Sequence, residues 1–419
     1  MSCRQFGNRS VSERELLFVI LRVLIGMAGL LCLGALFSTN RRAIDWAFVL
    51  RALALQVGIA AVILWVPMGA HLLHLVSDGI TKVLSYGDQG SAFLFGGLVG
   101  PRMADVLGNG GFVFALKVLP EIVYVAALLA LLQHWGVLQF LSRLIGGGLA
   151  KILRTTRIES FSAVLTIFLG QSEMPIVLQS CLAGLSMGEL ATVLCSGTSS
   201  IAGSVLAGYA SLGVPMENLL AASAMAIPGG LLFSRVLFPG PRHASTEIAG
   251  ADHGHHSMFE ALAEGAMNGA RIAVAVGAVL IAFVGIIALT DGLLAMVGLS
   301  LSRILGMVFA PFAWLIGVPW AECNVAGGLL GQKIAFNEFV AYVNLSPMIQ
   351  AHALSHRTIT ILSFALCGFA NISTIGILIG AFGSAEPRRR TDVAKLAVRA
   401  VVAGTFSNAM SAVIAGLFV

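Results

Sequence analysis

Charged residues are scarce in this chain of 419 residues. Only 11% of the residues are charged, whereas 58% are hydrophobic, and the mean hydropathy is +0.92. A soluble globular domain carries about a quarter charged residues. The composition therefore excludes an ordinary soluble domain and indicates an integral membrane protein.

Several motifs that carry enzymatic or nucleic-acid chemistry are also missing. The six cysteines form no CxxC pair, and the chain has no HExxH zinc motif, no GxSG serine-protease motif and no P-loop lysine. Its basic residues sit in short loops and form no patch interleaved with aromatic residues. We therefore expect neither an enzyme nor a nucleic-acid partner, and we expect the cysteines to act as small buried hydrophobes.

Eight apolar runs are long enough to cross a membrane. Each holds about 20 residues, which matches a hydrocarbon core of roughly 30 Å. The first run lacks the short apolar core and cleavage site of a signal peptide, so we expect it to remain as a helix. The segment Met68–Tyr86 has a milder amphipathic pattern and is predicted to lie at the membrane interface. The eight runs are Leu16–Phe37, Ile44–Val66, Phe112–Trp135, Thr192–Leu212, Leu219–Phe238, Ala266–Leu289, Ile359–Phe382 and Val393–Val419.

Two further apolar stretches are interrupted near their middles by Gly, Pro, Gln, Glu and Asn. They are Glu159–Leu185 and Leu305–Val343. Non-helical backbone at membrane depth is tolerated only where protein or a cavity covers it, so both stretches are predicted to be re-entrant hairpins. The spans that follow them have polar, small-residue centres, Gly197–Ser204 and Gly368–Thr374. Such centres suit unwound segments that expose carbonyls and hydroxyls to a solute, although small residues also serve close helix packing.

Each hairpin carries an acid, Glu173 in the first and Glu338 in the second. A carboxylate near the middle of a bilayer costs roughly 3 kcal/mol on insertion scales, so it usually faces a cavity, a partner or a substrate. Two such acids in the two halves of one chain suggest a site at a repeat interface. The structural alternative is a buried acid paired with a nearby cation, for which Lys333 is available beside Glu338.

Other polar residues favour structural interpretations. Lys117 and Glu121 lie four residues apart on one span and are predicted to form an intrahelical ion pair or a helix-packing contact. Asp252, His253, His255 and His256 lie in a loop between spans, where we expect solvated side chains rather than a metal site. The basic residues concentrate in alternate loops, which predicts that both termini lie outside the cell.

The segment Gly331–Tyr342 reads GQKIAFNEFVAY and resembles the signature of concentrative nucleoside transporters. Further matching segments cover most of the chain from about residue 112 onward: Lys117–Pro120, Gly170–Glu173, Ile201–Val205 and Ala365–Asn371. The resemblance implies an all-α polytopic membrane protein of the cell inner (plasma) membrane. It also implies about eight transmembrane helices, two opposed re-entrant hairpins in an inverted repeat, an elevator mechanism and a homotrimer in contact with membrane lipid.

The same resemblance divides the chain into moving and stationary parts. Residues 1–140 would be N-terminal scaffold helices with an interfacial segment, and residues 258–292 would be a long scaffold helix. Residues 141–240 would hold the first hairpin and the following two spans, as the first half of a transport domain. Residues 300–419 would hold the second hairpin and the last two spans, as its second half.

The function implied is cation-coupled import of nucleosides; uridine-like pyrimidine nucleosides are expected, and whether purine nucleosides are also carried stays open. By the same resemblance, Gln171, Ser172, Glu173 and Val205 would hold the nucleobase. A carboxylate accepts strongly from hydroxyl donors, which suits a ribose. Importing another small polar solute, or forming a channel around the same pocket, remains the alternative. The residues that would hold or line the ribose side are Glu338, Asn371, Thr374 and Phe369.

The resemblance implies no cofactor other than the coupling ion, Na⁺ or H⁺. A sodium site would take oxygens from Thr166, Leu169, Ser200 and Ile201. Sodium-coupled members typically have Asn at the position of Thr166, and a proton-coupled branch has Ser. The hydroxyl at this position leans toward the proton-coupled type, yet a threonine oxygen also ligates sodium, so both ions stay open.

Overall fold

The structure, a computed structural model, describes residues 13–100, 113–240, 242 and 257–419. Within these ranges the regular secondary structure is entirely helical. The loop with Asp252, His253, His255 and His256 lies outside the described residues. In the N-terminal part, the helices within the described residues are α1 Glu13–Leu36, α2 Trp46–Ala60, α3 Pro67–Phe95 and α4 Phe114–His134.

The rest of the chain repeats one order of elements: a helix, a hairpin, a helix broken in its middle, and a final helix. The long helix α11, Met258–Ala295, separates the two copies. The first copy consists of α5 Val137–Leu153, α6 Arg157–Val177, α7 Gln179–Leu182, α8 Met187–Ser199, α9 Gly203–Ser211 and α10 Met216–Leu237. The second copy consists of α12 Leu301–Leu315, α13 Cys323–Ala335, α14 Glu338–Gln350, α15 His356–Leu366, α16 Ile372–Ala385 and α17 Arg390–Ala415.

The two hairpins reverse at residues that suit a break. In the first, Gly170 has φ 71° and ψ 176° and divides α6 into two arms, a conformation that glycine adopts without strain. In the second, α13 ends at Ala335, and the Asn337 side chain caps α14 by accepting from the Val340 N–H (2.9 Å). The sequence thus places both breaks beside the acids Glu173 and Glu338.

The second hairpin begins later than the sequence analysis predicted. The stretch Leu305–Val343 combines most of a separate helix, α12, with the first arm and part of the second. The chain leaves α12 through Gly317, whose φ is +106°. Glu322 lies at the base of the hairpin and accepts hydrogen bonds from the backbone N–H and the hydroxyl of Ser355. The prediction failed because the intervening turn is itself apolar, so α12 and the first arm read as one run.

The predicted unwinding of the two polar-centred spans is confirmed. Helix is interrupted between α8 and α9, and again between α15 and α16. The two interruptions meet, because the Phe369 N–H donates to the Ser200 carbonyl (3.2 Å). Asn408 on α17 donates to the carbonyls of Ser199 (2.6 Å) and Cys367 (2.8 Å). Its amide therefore satisfies one carbonyl from each broken helix and ties the two repeats together.

Helices α4 and α11 pack at very close range. Gly265 and Gly269 on α11 form a GxxxG pattern, and a Cβ built at Gly269 would lie 2.7 Å from the Val123 Cα. Small residues at this spacing let two membrane helices approach closely. At Gly265 the built Cβ would lie 2.4 Å from the Ala130 Cβ. These contacts make α4 and α11 one stiff unit.

The described residues contain eight helices long and apolar enough to cross a membrane. The expected number is confirmed, but the membership differs. Helix α6 of the first hairpin, Arg157–Val177, counts among the eight, whereas the expected span Ile359–Phe382 is divided into the shorter α15 and α16. The amphipathic α3 contains Met68–Tyr86, and its interfacial position stays a prediction.

Candidate functional site

A cavity of about 290 Å³ lies where the two repeats meet α11. Its size is at the lower end of small-molecule pockets. Four helix N-termini border it, at Gln171, Gly203, Glu338 and Ile372. Because a helix N-terminus carries partial positive charge, the four together favour carboxylates and other electron-rich groups inside the cavity.

All eight residues predicted to hold the solute line this one cavity. They come from both repeats, although up to 203 positions separate them in sequence. The structure thus brings the set together, while the role of each residue stays a prediction. The eight are Gln171, Ser172, Glu173, Val205, Glu338, Phe369, Asn371 and Thr374.

Glu338 is buried, and each of its carboxyl oxygens has one fixed donor. The Tyr209 hydroxyl donates to Oε1 (2.9 Å), and the Asn371 amide donates to Oε2 (3.0 Å). A carboxylate has about four acceptor positions, so both oxygens retain capacity for solute hydroxyls. The arrangement holds the carboxyl plane in place without using up its accepting capacity.

The alternative of a Glu338–Lys333 pair is not what forms. The buried Lys333 ammonium donates instead to the Ala365 carbonyl (2.7 Å) and to the Asn408 side-chain oxygen (2.8 Å). Lys333 therefore supports the C-terminal end of α15 and orients the Asn408 amide. Of the two expectations for Glu121, the helix-packing contact forms rather than the ion pair with Lys117, since Glu121 on α4 accepts from the Ser211 hydroxyl on α9 (2.6 Å).

Gln171 and Thr374 meet across the cavity. The Gln171 side-chain N–H donates to the Thr374 hydroxyl (3.2 Å), and this contact joins the first hairpin to α16. The Gln171 side-chain oxygen is buried and has no hydrogen-bond partner. A buried acceptor without a partner is uncommon and marks a place for a missing donor. This oxygen is thus available to a solute N–H.

The four residues of the predicted cation site lie on the hairpin arm before Gly170 and on the first unwound segment. A Cβ built at Gly203 would lie 3.4 Å from the Phe168 carbonyl oxygen, so these two segments are in contact. The Ser200 hydroxyl is buried and has no hydrogen-bond partner, whereas the Thr166 hydroxyl donates to the Ala163 carbonyl (3.0 Å). Hydroxyl and unwound carbonyl oxygens are the ligands that transporters offer to sodium. Leu169 and Ile201, which would add backbone carbonyls, are buried beside them.

A second, smaller cavity of about 110 Å³ shares Leu169, Glu173 and Ser204 with the first. It extends toward the C-terminal part of α4, where Gln133 lines it, and toward the N-terminal part of α11, where Asn268 does. Loop charges predict that these two helix ends face the cytoplasm. Glu173 therefore stands at the junction between the main cavity and a polar extension toward the cytoplasmic side.

Sequence reasoning missed three contributors to the site. Tyr209 fixes Glu338, yet 129 positions separate them and no local pattern signals the contact. Asn337 was part of the recognised hairpin motif but was not assigned a place in the cavity. The third contributor is one stripe of α11, which closes the cavity with the apolar side chains of Ile272, Ala275, Val276 and Val279. Their spacing marks one helix face, but an apolar face predicts lipid contact equally well.

Comparison with known proteins decides the family. Three family models match consecutive parts of the chain: the Na⁺ dependent nucleoside transporter N-terminus at residues 25–98, nucleoside recognition (Gate) at 115–216, and the Na⁺ dependent nucleoside transporter C-terminus at 218–416. The nucleoside permease NupC of Helicobacter pylori is 43% identical over 96% of this chain and 99% of its own length. The chain belongs to the concentrative nucleoside transporter family.

Further relatives share both sequence and fold. NupX of Escherichia coli strain K12 is 47% identical over 96% of this chain and 99% of its own length. The structure of CNTnw in an inward-facing substrate-bound state superposes with a TM-score of 0.93 at 48% identity, covering 96% of this chain and 99% of that one. The expected fold class, an all-α multi-pass membrane transporter of the elevator type, is thereby confirmed, as is the expectation that the protein is not an enzyme.

Proposed function

We propose that the cavity is the nucleoside site of a cation-coupled importer, with the sugar held by the second repeat and the base by the first. Coupled nucleoside import is the activity of the family. The assignment of the sugar and the base to particular residues of the site is our proposal. The observation that supports it is the pairing of a doubly anchored carboxylate, Glu338, with an unpartnered amide oxygen on Gln171. The carboxylate suits hydroxyl donors, and the amide oxygen suits a base N–H.

The remaining residues complete this assignment. Ser172, Glu173 and Val205 would contact the base beside Gln171, and Asn371 and Thr374 would contact the sugar beside Glu338. Phe369 is half-buried on the cavity wall and would pack against the solute. The smaller cavity beyond Glu173 would be the release route toward the cytoplasm.

The moving and stationary parts follow from the same geometry. We infer that residues 1–140 and 258–292 form the scaffold and that residues 141–240 and 300–419 form the transport domain. The close α4–α11 contact supports a stiff scaffold, and the Asn408 bridge supports a transport domain that moves as one body. Much of α11 is exposed in the single chain, including Val274 and Ile281, which fits the homotrimer of our proposal.

We propose sodium as the coupling ion, bound by Thr166, Leu169, Ser200 and Ile201. The buried Ser200 hydroxyl without a partner is the observation that favours it, because such a group is costly unless something satisfies it. A proton is the second candidate, with Glu173 as its carrier. Glu173 lines both cavities and could exchange a proton with the cytoplasmic side.

Uptake into proteoliposomes tests the function and the ion together. Radiolabelled uridine and adenosine are supplied under a sodium gradient alone and under a proton gradient alone. A coupled importer concentrates its solute, whereas a channel only equilibrates it. We expect accumulation driven by sodium, and accumulation driven by protons in sodium-free buffer would instead select the Glu173 mechanism.

Two neighbouring serines make a matched test of the sodium site. Ser200→Ala removes the unpartnered hydroxyl, so the sodium concentration for half-maximal uptake should rise. Ser199→Ala is the control, because the Ser199 hydroxyl is equally buried but already donates to the Cys195 carbonyl (2.7 Å). Equal sodium dependence in both variants would remove Ser200 from the site. Thr166→Asn, which restores the amide usual in sodium-coupled members, should strengthen sodium stimulation.

A further inference from the structure

A basic pocket lies between α5 and the start of α6, away from the nucleoside cavity. Its volume is about 760 Å³, and Arg143, Lys151 and Arg157 line it. No acidic residue lines it, and none of the three cations has an ion-pair partner within the described residues. The nearby Glu159 is fully buried and neutralised by Arg235 (2.7 Å) and Arg242 (3.0 Å), so it does not balance the pocket.

The pocket also contains a buried hydroxyl that lacks a partner. Ser142 lines the pocket, is 0% exposed, and its hydroxyl makes no hydrogen bond. Buried hydroxyl groups nearly always have a hydrogen-bond partner, so an unpaired one marks a place where a ligand can supply that partner. The rim beside it is open, because a Cβ built at the exposed Gly147 would meet no atom within 4 Å. Three cations and a free hydroxyl around open space form a site for a group with several oxygen acceptors and negative charge.

The helix that carries the pocket is amphipathic and has an exposed apolar face. Phe140, Leu144, Ile145 and Ile152 on α5 are exposed large hydrophobic residues beside Arg143 and Lys151. A helix with apolar residues on one side and basic residues on the other lies in the membrane interface. The positive-inside distribution of charge predicts that this interface is the cytoplasmic one.

We propose that this pocket binds the phosphate of an anionic phospholipid in the cytoplasmic leaflet. Arg143, Lys151 and Arg157 pair with the phosphate, the Ser142 hydroxyl donates to one of its oxygens, and the acyl chains lie along the exposed apolar residues of α5. Basic pockets on the cytoplasmic side of membrane proteins bind lipid head groups in this way. A free phosphate ion has the same negative charge and oxygen acceptors as the head group, but it makes no favourable contact with the exposed apolar residues of α5.

The test measures how strongly the protein selects spin-labelled phosphatidylglycerol over spin-labelled phosphatidylcholine in phosphatidylcholine vesicles. Arg143→Gln combined with Lys151→Gln should lower the selectivity roughly 10-fold or more, since the loss of even one charge-assisted hydrogen bond to the phosphate costs about that factor. The control pair is Arg42→Gln with Lys395→Gln, which removes the same charge from equally exposed side chains on the same predicted face but outside the pocket. It should change the selectivity less than twofold. An equal loss in both pairs would overturn the proposal, because diffuse surface charge would then explain the preference.

A single substitution separates a binding role from a structural one. Ser142→Ala removes a buried hydroxyl that has no protein partner, so the fold should be as stable or more stable in neutral lipid. Selectivity for phosphatidylglycerol should nevertheless fall, and unchanged selectivity would contradict the site. Inorganic phosphate added to protein in pure phosphatidylcholine forms the last arm. Thermal stabilisation by phosphate, together with a lipid selectivity that is the same in wild type and in the Arg143→Gln, Lys151→Gln pair, would show that the ligand is soluble phosphate, which overturns the lipid assignment.

Discussion

The hydroxyl of Tyr209 gives the most incisive test of the sugar side of the cavity. Tyr209→Phe deletes one of the two donors that fix Glu338, the 2.9 Å bond to Oε1, and keeps the ring. That ring is fully buried, with its centroid 4.6 Å from those of Phe339 and Tyr342, so packing should survive. A carboxyl that is no longer held in place loses its own hydrogen bond to a ribose hydroxyl. A hydrogen bond to a charged group contributes about 1.5–3 kcal/mol, so this loss corresponds to roughly 10–150-fold in affinity.

We therefore expect the KM for uridine to rise by roughly 10-fold or more. We also expect the ratio of the KM for 3′-deoxyuridine to the KM for uridine to fall. A carboxylate that is held less firmly makes a weaker hydrogen bond to the 3′-hydroxyl, so the absence of that hydroxyl costs less affinity. Both KM values are measured by initial uptake into proteoliposomes. Tyr342→Phe is the matched control, since that buried hydroxyl donates to the Ser363 carbonyl (2.8 Å) rather than to Glu338. If the preference is unchanged in Tyr209→Phe, or falls equally in Tyr342→Phe, Tyr209 has only a structural role.

Three further outcomes follow from the same geometry. Glu338→Gln keeps the shape but loses the charge-assisted acceptor, so uridine uptake should collapse while the protein still assembles, and wild-type uptake would refute the sugar assignment. Gln171→Ala removes the unpartnered amide oxygen, so uridine should bind more weakly while competition by free ribose changes little; equal losses would make Gln171 structural. Gly269→Val places a branched side chain where a built Cβ would lie 2.7 Å from the Val123 Cα. The free energy of unfolding should therefore fall by about 1–3 kcal/mol, which lowers the melting temperature. Gly285→Val on the same helix, where a Cβ meets nothing within 4 Å, should leave the melting temperature unchanged.

The sequence predicts well those features that depend on residues close together along the chain. Polar interruptions inside apolar runs located both hairpin breaks and both unwound segments, because backbone polarity at membrane depth needs cover. The family motif then identified eight residues that line one cavity. Contacts that depend on three-dimensional arrangement could not be predicted in this way. Lys333 lies five residues before Glu338 yet bonds to Ala365 and Asn408, and only the crossing of α13, α15 and α17 reveals it.

The Asn408 bridge has a thermodynamic consequence for accumulation. Its amide holds Ser199 and Cys367 together, and the Phe369–Ser200 backbone bond adds a second link, so both walls of the cavity belong to one rigid body. The side chains from the two repeats therefore keep one arrangement on either side of the membrane, and only the apolar wall from α11 stays behind with the proposed scaffold. A passive carrier only equilibrates its solute, whatever its affinity on each side, so the whole concentration ratio across the membrane must come from the ion that travels with the nucleoside.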